Sequence, residues 1–264
     1  MVMTQSLVEG DGFAVFDLRL DGAGRDWSPP ERADGYGVVF VRSGCFRRLS
    51  EGIESLLDAT SLYFAAPGRE QRVRHTHEGG ARCTSITLAP ELAEPLFAER
   101  PPATAVFTPP FVDLEHRRLL ALAHRSPDDV DASDVLALVA TVVPESGAAR
   151  RRRGSDARRR IVDAVRERLT ADPRTGLLTL ARHVSVSPYH LSRIFAAETG
   201  QTISSYRNCL RARIVLEHVA NGDRSLARVA AELGFADHAH LTRVVRREAG
   251  APPSTLRELL RFGA

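Results

Sequence analysis

The chain has 264 residues, 43% of them hydrophobic and 26% charged, which is long for one ordinary domain and comfortable for two with a sizeable core. It has no run of about 18 apolar residues, which argues against a membrane-spanning helix, and its start, MVMTQSLVEGDG, lacks the basic and apolar regions of a secretory signal. Cys45, Cys83 and Cys209 are odd in number and widely spaced, a poor disulfide framework that fits a reducing cytoplasm.

Charge divides the chain. Residues 150–264 carry 22 arginines against 11 acidic residues, whereas residues 1–149 carry 14 arginines against 22 acids. A basic half following an acidic half suggests two domains, with the second near a polyanion. Lysine is absent, so every fixed cation is a guanidinium, the better bidentate partner for phosphate and guanine edges. Arginine codons in a GC-rich genome explain the missing lysine in both halves, but not the charge split.

Residues 11–90 read as strands and turns. Apolar stretches at Phe13–Leu20, Gly37–Val41, Leu62–Ala66 and Cys83–Leu88 are broken by Asp21-Gly22, Arg42-Ser43-Gly44, Pro67-Gly68 and Gly79-Gly80. Short strands at near-regular spacing predict a small antiparallel barrel or sandwich. Helical periodicity follows over 111–126 (Leu114, Leu119, Leu120, Leu122) and 131–143 (Val135, Leu136, Leu138, Val139, Val142). Asp131, Ser133 and Asp134 mark the second start and Pro144 its stop. The stretch PESGAARRRRGSDARRR, residues 144–160, has arginine blocks and no large apolar side chain, so it reads as a flexible linker. The expectation is an α+β chain: an N-terminal barrel with flanking helices over 1–145, a linker at 146–156 and an all-helical domain over 157–264.

Two segments of that last part, about 49 residues apart, share one plan: LTLARHVSVSPYHLSRIFAAETG from Leu178 and LARVAAELGFADHAHLTRVVRREAG from Leu226. Each has a short apolar helix (Leu180, Ala181, Val184; Val229, Ala230, Leu233), a tight turn and a second helix. Ser187 before Pro188 is an N-cap followed by proline at the first helical position, and Asp237 caps the corresponding helix. Gly234 ends the first helix of the second unit, while Gly200 and Gly250 stop the second helix of each. Leu191, Ile194 and Phe195 must face a core, which turns Tyr189, His190, Ser192 and Arg193 outward; Leu241, Val244 and Val245 do the same for His238, Ala239, Thr242 and Arg243. Helices of this kind fit a major groove about 12 Å wide. The helix expected between the units, Ile203–Ala220, is ~27 Å long at 1.5 Å per residue, comparable with the ~34 Å turn of DNA separating consecutive grooves.

These residues give the region from about Ile161 to Leu260 its resemblance to the DNA-binding domain of the AraC/XylS family of bacterial regulators. The matching positions include His190-Leu191-Ser192-Arg193-Ile194-Phe195, Glu198-Thr199-Gly200, Tyr206, Arg211, Gly234-Phe235 and Asp237-His238. The resemblance implies that Tyr189, Ser192 and Arg193, with His238, Ala239, Thr242 and Arg243, contact base edges of promoter DNA. The sequence departs from the family where aromatic residues are usual, at Val245, Ala249 and Leu256, and Ala239 has no side chain able to hydrogen-bond a base. A looser second unit is therefore expected. Arg182, Arg207, Arg211, Arg246 and Arg247 are candidate phosphate contacts, which position a protein without specifying sequence. His190 and His240 can equally pack beneath the groove face. The bland alternative is a pair of structural helical hairpins.

Family members usually carry a sensing or dimerising domain in front, often a cupin-like β-barrel, and the acidic strand-rich half looks like that class. The resemblance thus implies a cytoplasmic homodimer with a small-molecule effector, acting with RNA polymerase and away from membranes. Within this half, His75, His77 and Cys83 surround a Gly79-Gly80 turn expected to fold Cys83 back across a hairpin. Two imidazoles and a thiolate suit zinc or another divalent ion; solvated histidines or a ligand-pocket rim are the alternatives, and no cofactor is required. A metal-dependent cupin enzyme would need further converging histidines, but His116 and His124 fall in the predicted helices. No phosphate-binding glycine loop or nucleophile elbow is present. An architectural DNA-binding protein without effector is the remaining alternative. The stripes at 111–143 are expected to pack between two subunits or against their own barrel.

Overall fold

The computed structural model describes residues 2–22, 26–76, 79–97, 101–143, 156–223 and 225–262. In chain order come β1 (Val2–Gly10), β2 (Phe13–Leu20), β3 (Glu31–Arg32), β4 (Tyr36–Ser50), β5 (Ile53–Asp58), β6 (Ser61–Ala65), β7 (Glu70–His75), β8 (Ala81–Leu88), α1 (Pro90–Ala93) and β9 (Val106–Phe107). Then follow α2 (Pro110–Arg125), a 3-10 turn at Pro127–Asp129 and α3 (Ala132–Ala140). The helical half runs through α4 (Asp156–Ala171), α5 (Leu177–His183), α6 (Pro188–Thr199), α7 (Ile203–Ala220), α8 (Leu226–Glu232), α9 (His238–Ala249) and α10 (Pro253–Leu260). The α+β organisation, a strand-rich first half followed by an all-helical second half, matches expectation.

Strand β4 is the spine of the first half. Its N-terminal part pairs antiparallel with β8 (Val38↔Ile86) and β6 (Val38↔Phe64), and its C-terminal part with β5 (Cys45↔Asp58) and β7 (Leu49↔Arg72). One long strand thereby serves both halves of a folded-over sheet. The cluster Arg42-Ser43-Gly44, expected to be a turn, is instead a bulge: the register with β8 shifts between Val41 and Ser43. Gly44 sits at φ +75°, and a Cβ there would lie 2.1 Å from the Gly80 carbonyl oxygen, so glycine bends the strand where a side chain would clash. Expectation also missed β1, an edge strand paired with β2 whose residues 2–6 are exposed and show no apolar alternation.

The run Gly37–Val41 is continuously apolar because both faces are covered. Val38 and Phe40 join Phe13, Val15, Phe64 and Ile86 beneath α2 and α3, whereas Val39 and Val41 join Phe46, Leu57, Tyr63 and Cys83 inside the folded sheet. Asp131 caps α3 by accepting from the Asp134 backbone N–H, and Asp134 returns a bond to the Asp131 N–H. The α3 residues Val135, Leu138 and Val139 bury against the chain's own sheet. On α2, Leu119 faces that sheet while Leu114 packs against the helical half. Of the two arrangements expected for these stripes, the structure has the one in which they pack within their own chain, while Phe111 of α2 stays exposed.

The connector expected at 146–156, apart from Asp156 at the start of α4, and Pro144, the expected stop of the helix before it, lie outside the described residues. The halves are nevertheless docked. The β5–β6 turn inserts Ala59 into the apolar cluster of Val165, Leu180, Leu191, Phe195 and Tyr206. Arg213 of α7 donates to the carbonyls of Ala59 and Thr108. Glu217, one turn on, accepts from Arg117 of α2 at 2.8 Å and pairs with Arg42 of β4 at 3.5 Å. Arg42 also bonds Asp17 of β2. Buried charges persist only when paired and hydrogen-bonded, and here each ion pair crosses an element boundary.

Candidate nucleic-acid interface

The local chemistry of the first unit sets α6. Ser187 takes an extended backbone and its hydroxyl accepts from the His190 N–H at 3.2 Å, Pro188 occupies the first helical position, and Gly200 closes the helix at φ +75°. Leu191, Ile194 and Phe195 are buried, with Phe195 edge-on to Tyr206 of α7 at 5.4 Å. Tyr189, 72% exposed, His190 and Arg193 face solvent. The Arg193 guanidinium lies 5.7 Å from the Tyr189 ring centre. Ser192 is half-buried and donates to the Pro188 carbonyl at 2.9 Å, so towards solvent it offers oxygen lone pairs.

The second unit repeats the pattern. Asp237 accepts from the His240 N–H at 2.6 Å, Gly234 makes the left-handed turn at φ +71°, and Gly250 ends α9 at φ +78°. Leu241, Val244 and Val245 are buried; His238, Ala239 and Arg243 are exposed and Thr242 is half-buried. The ring of His240 packs edge-on to Phe235 at 5.4 Å and its Nδ1 faces the Ala236 N–H, so this histidine is a packing residue, whereas His190 is open to solvent. At the positions lacking the family's aromatics, Val245, Ala249 and Leu256 are all buried in the unit's own core.

The five candidate phosphate contacts separate by environment. Arg182, Arg246 and Arg247 are exposed, Arg247 being shared with Glu248 at 2.8 Å. Arg207 is half-buried and donates to the Thr175 carbonyl at 2.7 Å. Arg211 is 8% exposed, donates to the Pro173 carbonyl at 2.9 Å and lies 5.3 Å from the Phe235 ring centre. Burial, then neighbouring Arg207, pushes Arg211 down to about 10, which still leaves it a cation at neutral pH. The expectation that Arg211 is offered to phosphate is corrected: it ties the loop ahead of α5 to the second unit across α7. The same crowding explains Gly234, since a Cβ there would meet Arg174 Cγ at 2.5 Å.

Of the three candidate ligands, the structure does not bring His75 and Cys83 together. His77 lies outside the described residues, while β7 pairs with β3 and β4 rather than with β8. Cys83 therefore lies opposite Leu18 and Val41 instead of His75. Burial pushes its thiol up to about 12. No cluster of three or more metal-ligating side chains occurs among the described residues.

The docking residues were missed by sequence reasoning. Asp58 is fully buried and accepts from Tyr206 Oη at 2.5 Å, Arg166 Nε at 2.8 Å and Thr60 Oγ1 at 2.6 Å. Burial alone would raise its pKa, but Arg166, Thr60 and Tyr206 outweigh it and hold the carboxyl below the usual range. Glu217 is likewise held low by Arg42 and Arg117 against the effect of burial. The available signal was Arg213 and Glu217, charges four residues apart inside the apolar run of α7.

Residues 180–259 match the family described as "Helix-turn-helix domain". An uncharacterized HTH-type transcriptional regulator, YfiF of Bacillus subtilis, is 34% identical over 83 residues, 31% of this chain and 26% of that protein. The HTH-type transcriptional regulator RipA of Corynebacterium diphtheriae is 34% identical over 93 residues, 34% of this chain and 28% of that protein. The match thus spans little more than a quarter of either relative. Apo ToxT of Vibrio cholerae aligns over 96% of this chain and 99% of its own, at 11% identity and a TM-score of 0.38. No helix among the described residues is long and apolar enough to cross a membrane. Residues 180–259 of this chain are thus matched to a helix-turn-helix domain family.

Proposed function

We propose that the chain is a sequence-specific DNA-binding transcription regulator whose α6 and α9 enter successive major grooves of promoter DNA. One observation carries this reading: both ends of α7 hold a capped helix that buries an apolar triad and leaves Arg193 or Arg243 exposed. Tyr189, Ser192 and Arg193, with His238, Ala239, Thr242 and Arg243, are the base-edge readers, and Arg182, Arg207, Arg246 and Arg247 the phosphate contacts. Base contacts specify, and phosphate contacts position.

Residues 1–145 act as the sensing half, 146–156 as the connector and 157–264 as the DNA-binding half. The regulator works in the cytoplasm with RNA polymerase, without enzymatic turnover, under a small-molecule effector. Self-association as a homodimer would use surfaces other than the apolar stripes of α2 and α3, which pack within the chain. Genome-wide mapping of bound sites, followed by retention assays on the best one, tests the reading. Equal affinity for that site and for random DNA at the same salt would overturn it.

A further inference from the structure

One long edge of the folded sheet is left open. Among the described residues, β3 and β9 are edge strands of two residues each, and α4 lies against the edge strand β5. Strand β1 has nine residues and pairs on one side only, with β2. Its second half is shielded: the register shifts between Ser6 and Val8, Leu7 and Val8 pack into the core, and Glu9 adds a charge. The first half, Val2–Ser6, is exposed throughout and carries no charge, proline or glycine, with Val2 47% and Met3 53% exposed. Edge strands that stay single are blunted by charges, prolines, bulges or short length, because their free N–H and C=O groups template further pairing. Val2–Ser6 has none of these defences.

The edge also fits itself. Val2, Thr4 and Ser6 lie opposite Leu20, Leu18 and Phe16 of β2, on the face that lines the inside of the folded sheet. Met3 and Gln5 lie opposite Arg19 and Asp17 on the other face. Leu18 and Phe16 are only half-buried, so the apolar inner face reaches the open edge. A two-fold axis normal to the sheet keeps each side chain on its own face, so opposed residues must be both even or both odd in number. Centred on Thr4, such an axis sets Thr4 against the partner's Thr4, Met3 against the partner's Gln5 and Val2 against the partner's Ser6. All five residues are used. Thr–Thr is a favourable cross-strand pair, and Met and Gln match in length. Each outer row then runs Arg19, Met3, the partner's Gln5, the partner's Asp17, with a cation at one end, an acid at the other and no like charges opposed.

We propose that β1 is the dimerisation edge: two copies join antiparallel through Val2–Ser6 about Thr4, so that one sheet runs across the pair. An isologous contact of this kind consumes both open edges, and assembly stops at two copies. The proposal rests on the regulator reading only for the homodimer to which it gives a surface; the pairing itself needs neither DNA nor an effector.

Sedimentation equilibrium of the full chain should show a monomer–dimer equilibrium with a Kd of about 10 µM. Thr4 is exposed, so its replacement leaves the fold in place. Thr4→Lys and Thr4→Glu each set like charges face to face on the axis and should weaken association at least about tenfold. An equimolar mixture of the two variants should restore it, because each lysine then meets a glutamate. Opposed Cα atoms of an antiparallel pair stand about 4.5–5.5 Å apart, within disulfide reach, so Thr4→Cys should form a dimer-mass disulfide under mild oxidation. Cys45, Cys83 and Cys209 are buried and do not compete. Ile53→Cys, exposed on β5, should cross-link far more slowly. A chain that stays monomeric at about 100 µM, ten times the expected Kd, overturns the proposal and leaves the edge to a strand of another protein. So does an unchanged Kd in Thr4→Lys, a mixture no tighter than its components, species larger than the dimer, or equal cross-linking at Ile53→Cys and Thr4→Cys. Failure of promoter retention would count against the regulator reading and leave these masses unaltered.

Discussion

Tyr206 of the helix joining the two helix-turn-helix units donates its hydroxyl hydrogen to Asp58, in the β5–β6 turn of the other half, at 2.5 Å. The same carboxylate accepts from Arg166 of α4, so one buried acid holds two helices of the DNA-binding half. Tyr206→Phe removes one donor to a charged acceptor and should lower unfolding free energy by about 1.5–3 kcal/mol. Asp58→Asn takes the nearest carboxylate from Arg166, leaving it Asp163 at 3.6 Å, and should cost more, about 3–5 kcal/mol. Urea denaturation measures both. Equal losses in the two variants would mean that Arg166 finds another partner and that Asp58 is not the anchor.

Stability should fall with acid earlier than carboxylates alone dictate, because of His116. Its ring is fully buried, stacks on Phe40 at 4.3 Å and 7°, and has Asp113 Oδ1 4.0 Å from Nδ1. Burial pushes it down to about 3, with Arg117 and Arg42 adding to the effect and Asp113 and Glu217 opposing it. The unfolded chain therefore takes up a proton near pH 6.5 that the folded chain refuses until about pH 3. Stability is present in full above pH 6.5 and is lost as pH falls towards 3, by up to about 1.4 kcal/mol per unit. Asp58, Asp113 and Glu217, all held low, add to the loss only as pH falls through the ordinary carboxylate range and below it. His116→Phe keeps an aromatic partner for Phe40 and should flatten the curve between pH 6.5 and 5. An identical slope in wild type and variant would refute the assignment.

The caps and periodicities were legible because they act locally. Ser187, Gly200, Asp237 and Gly250 each satisfy or end their own helix, and α7 runs over the same Ile203–Ala220 that its pattern indicated. The bulge at Gly44 was not legible, because its cause, the Gly80 carbonyl, lies 36 positions away and only the pairing of β4 with β8 brings it close. Arg211 failed for the same reason. A cation on a helix between DNA-binding units reads as surface, and only the fold shows Pro173 and Phe235 closing over it. The docking set of Asp58, Arg117, Arg213 and Glu217 joins positions 100 or more residues apart, where spacing carries no information.

Arg211 then predicts a contrast with Arg246. Arg211→Ala removes a buried stem and the bond to Pro173, so it should lower stability by about 2 kcal/mol and loosen the second unit. The salt dependence of DNA binding should stay nearly unchanged. Arg246→Ala, at an exposed position, should leave thermal stability within about 0.5 kcal/mol and reduce the slope of log K against log salt by about one. Reversed outcomes in melting and salt titration would show that Arg211 turns outward on DNA.

Arg193 carries the sharpest prediction, because it is exposed on α6 with the Tyr189 ring beside it. Stacking restricts the guanidinium before DNA arrives, so less rotamer freedom is lost when it forms a bidentate pair with a guanine edge. Arg193→Ala should cost about 1–3 kcal/mol on the specific site and relax preference at one base position, with little change on random DNA. Tyr189→Ala should produce part of the same loss by freeing Arg193. The double variant should then lose less than the sum of the two, since both substitutions act on one contact. Binding assays on the mapped site and on single-base variants of it decide the matter. Additive losses, or equal weakening on specific and random DNA, would assign Arg193 to the phosphates rather than to a base.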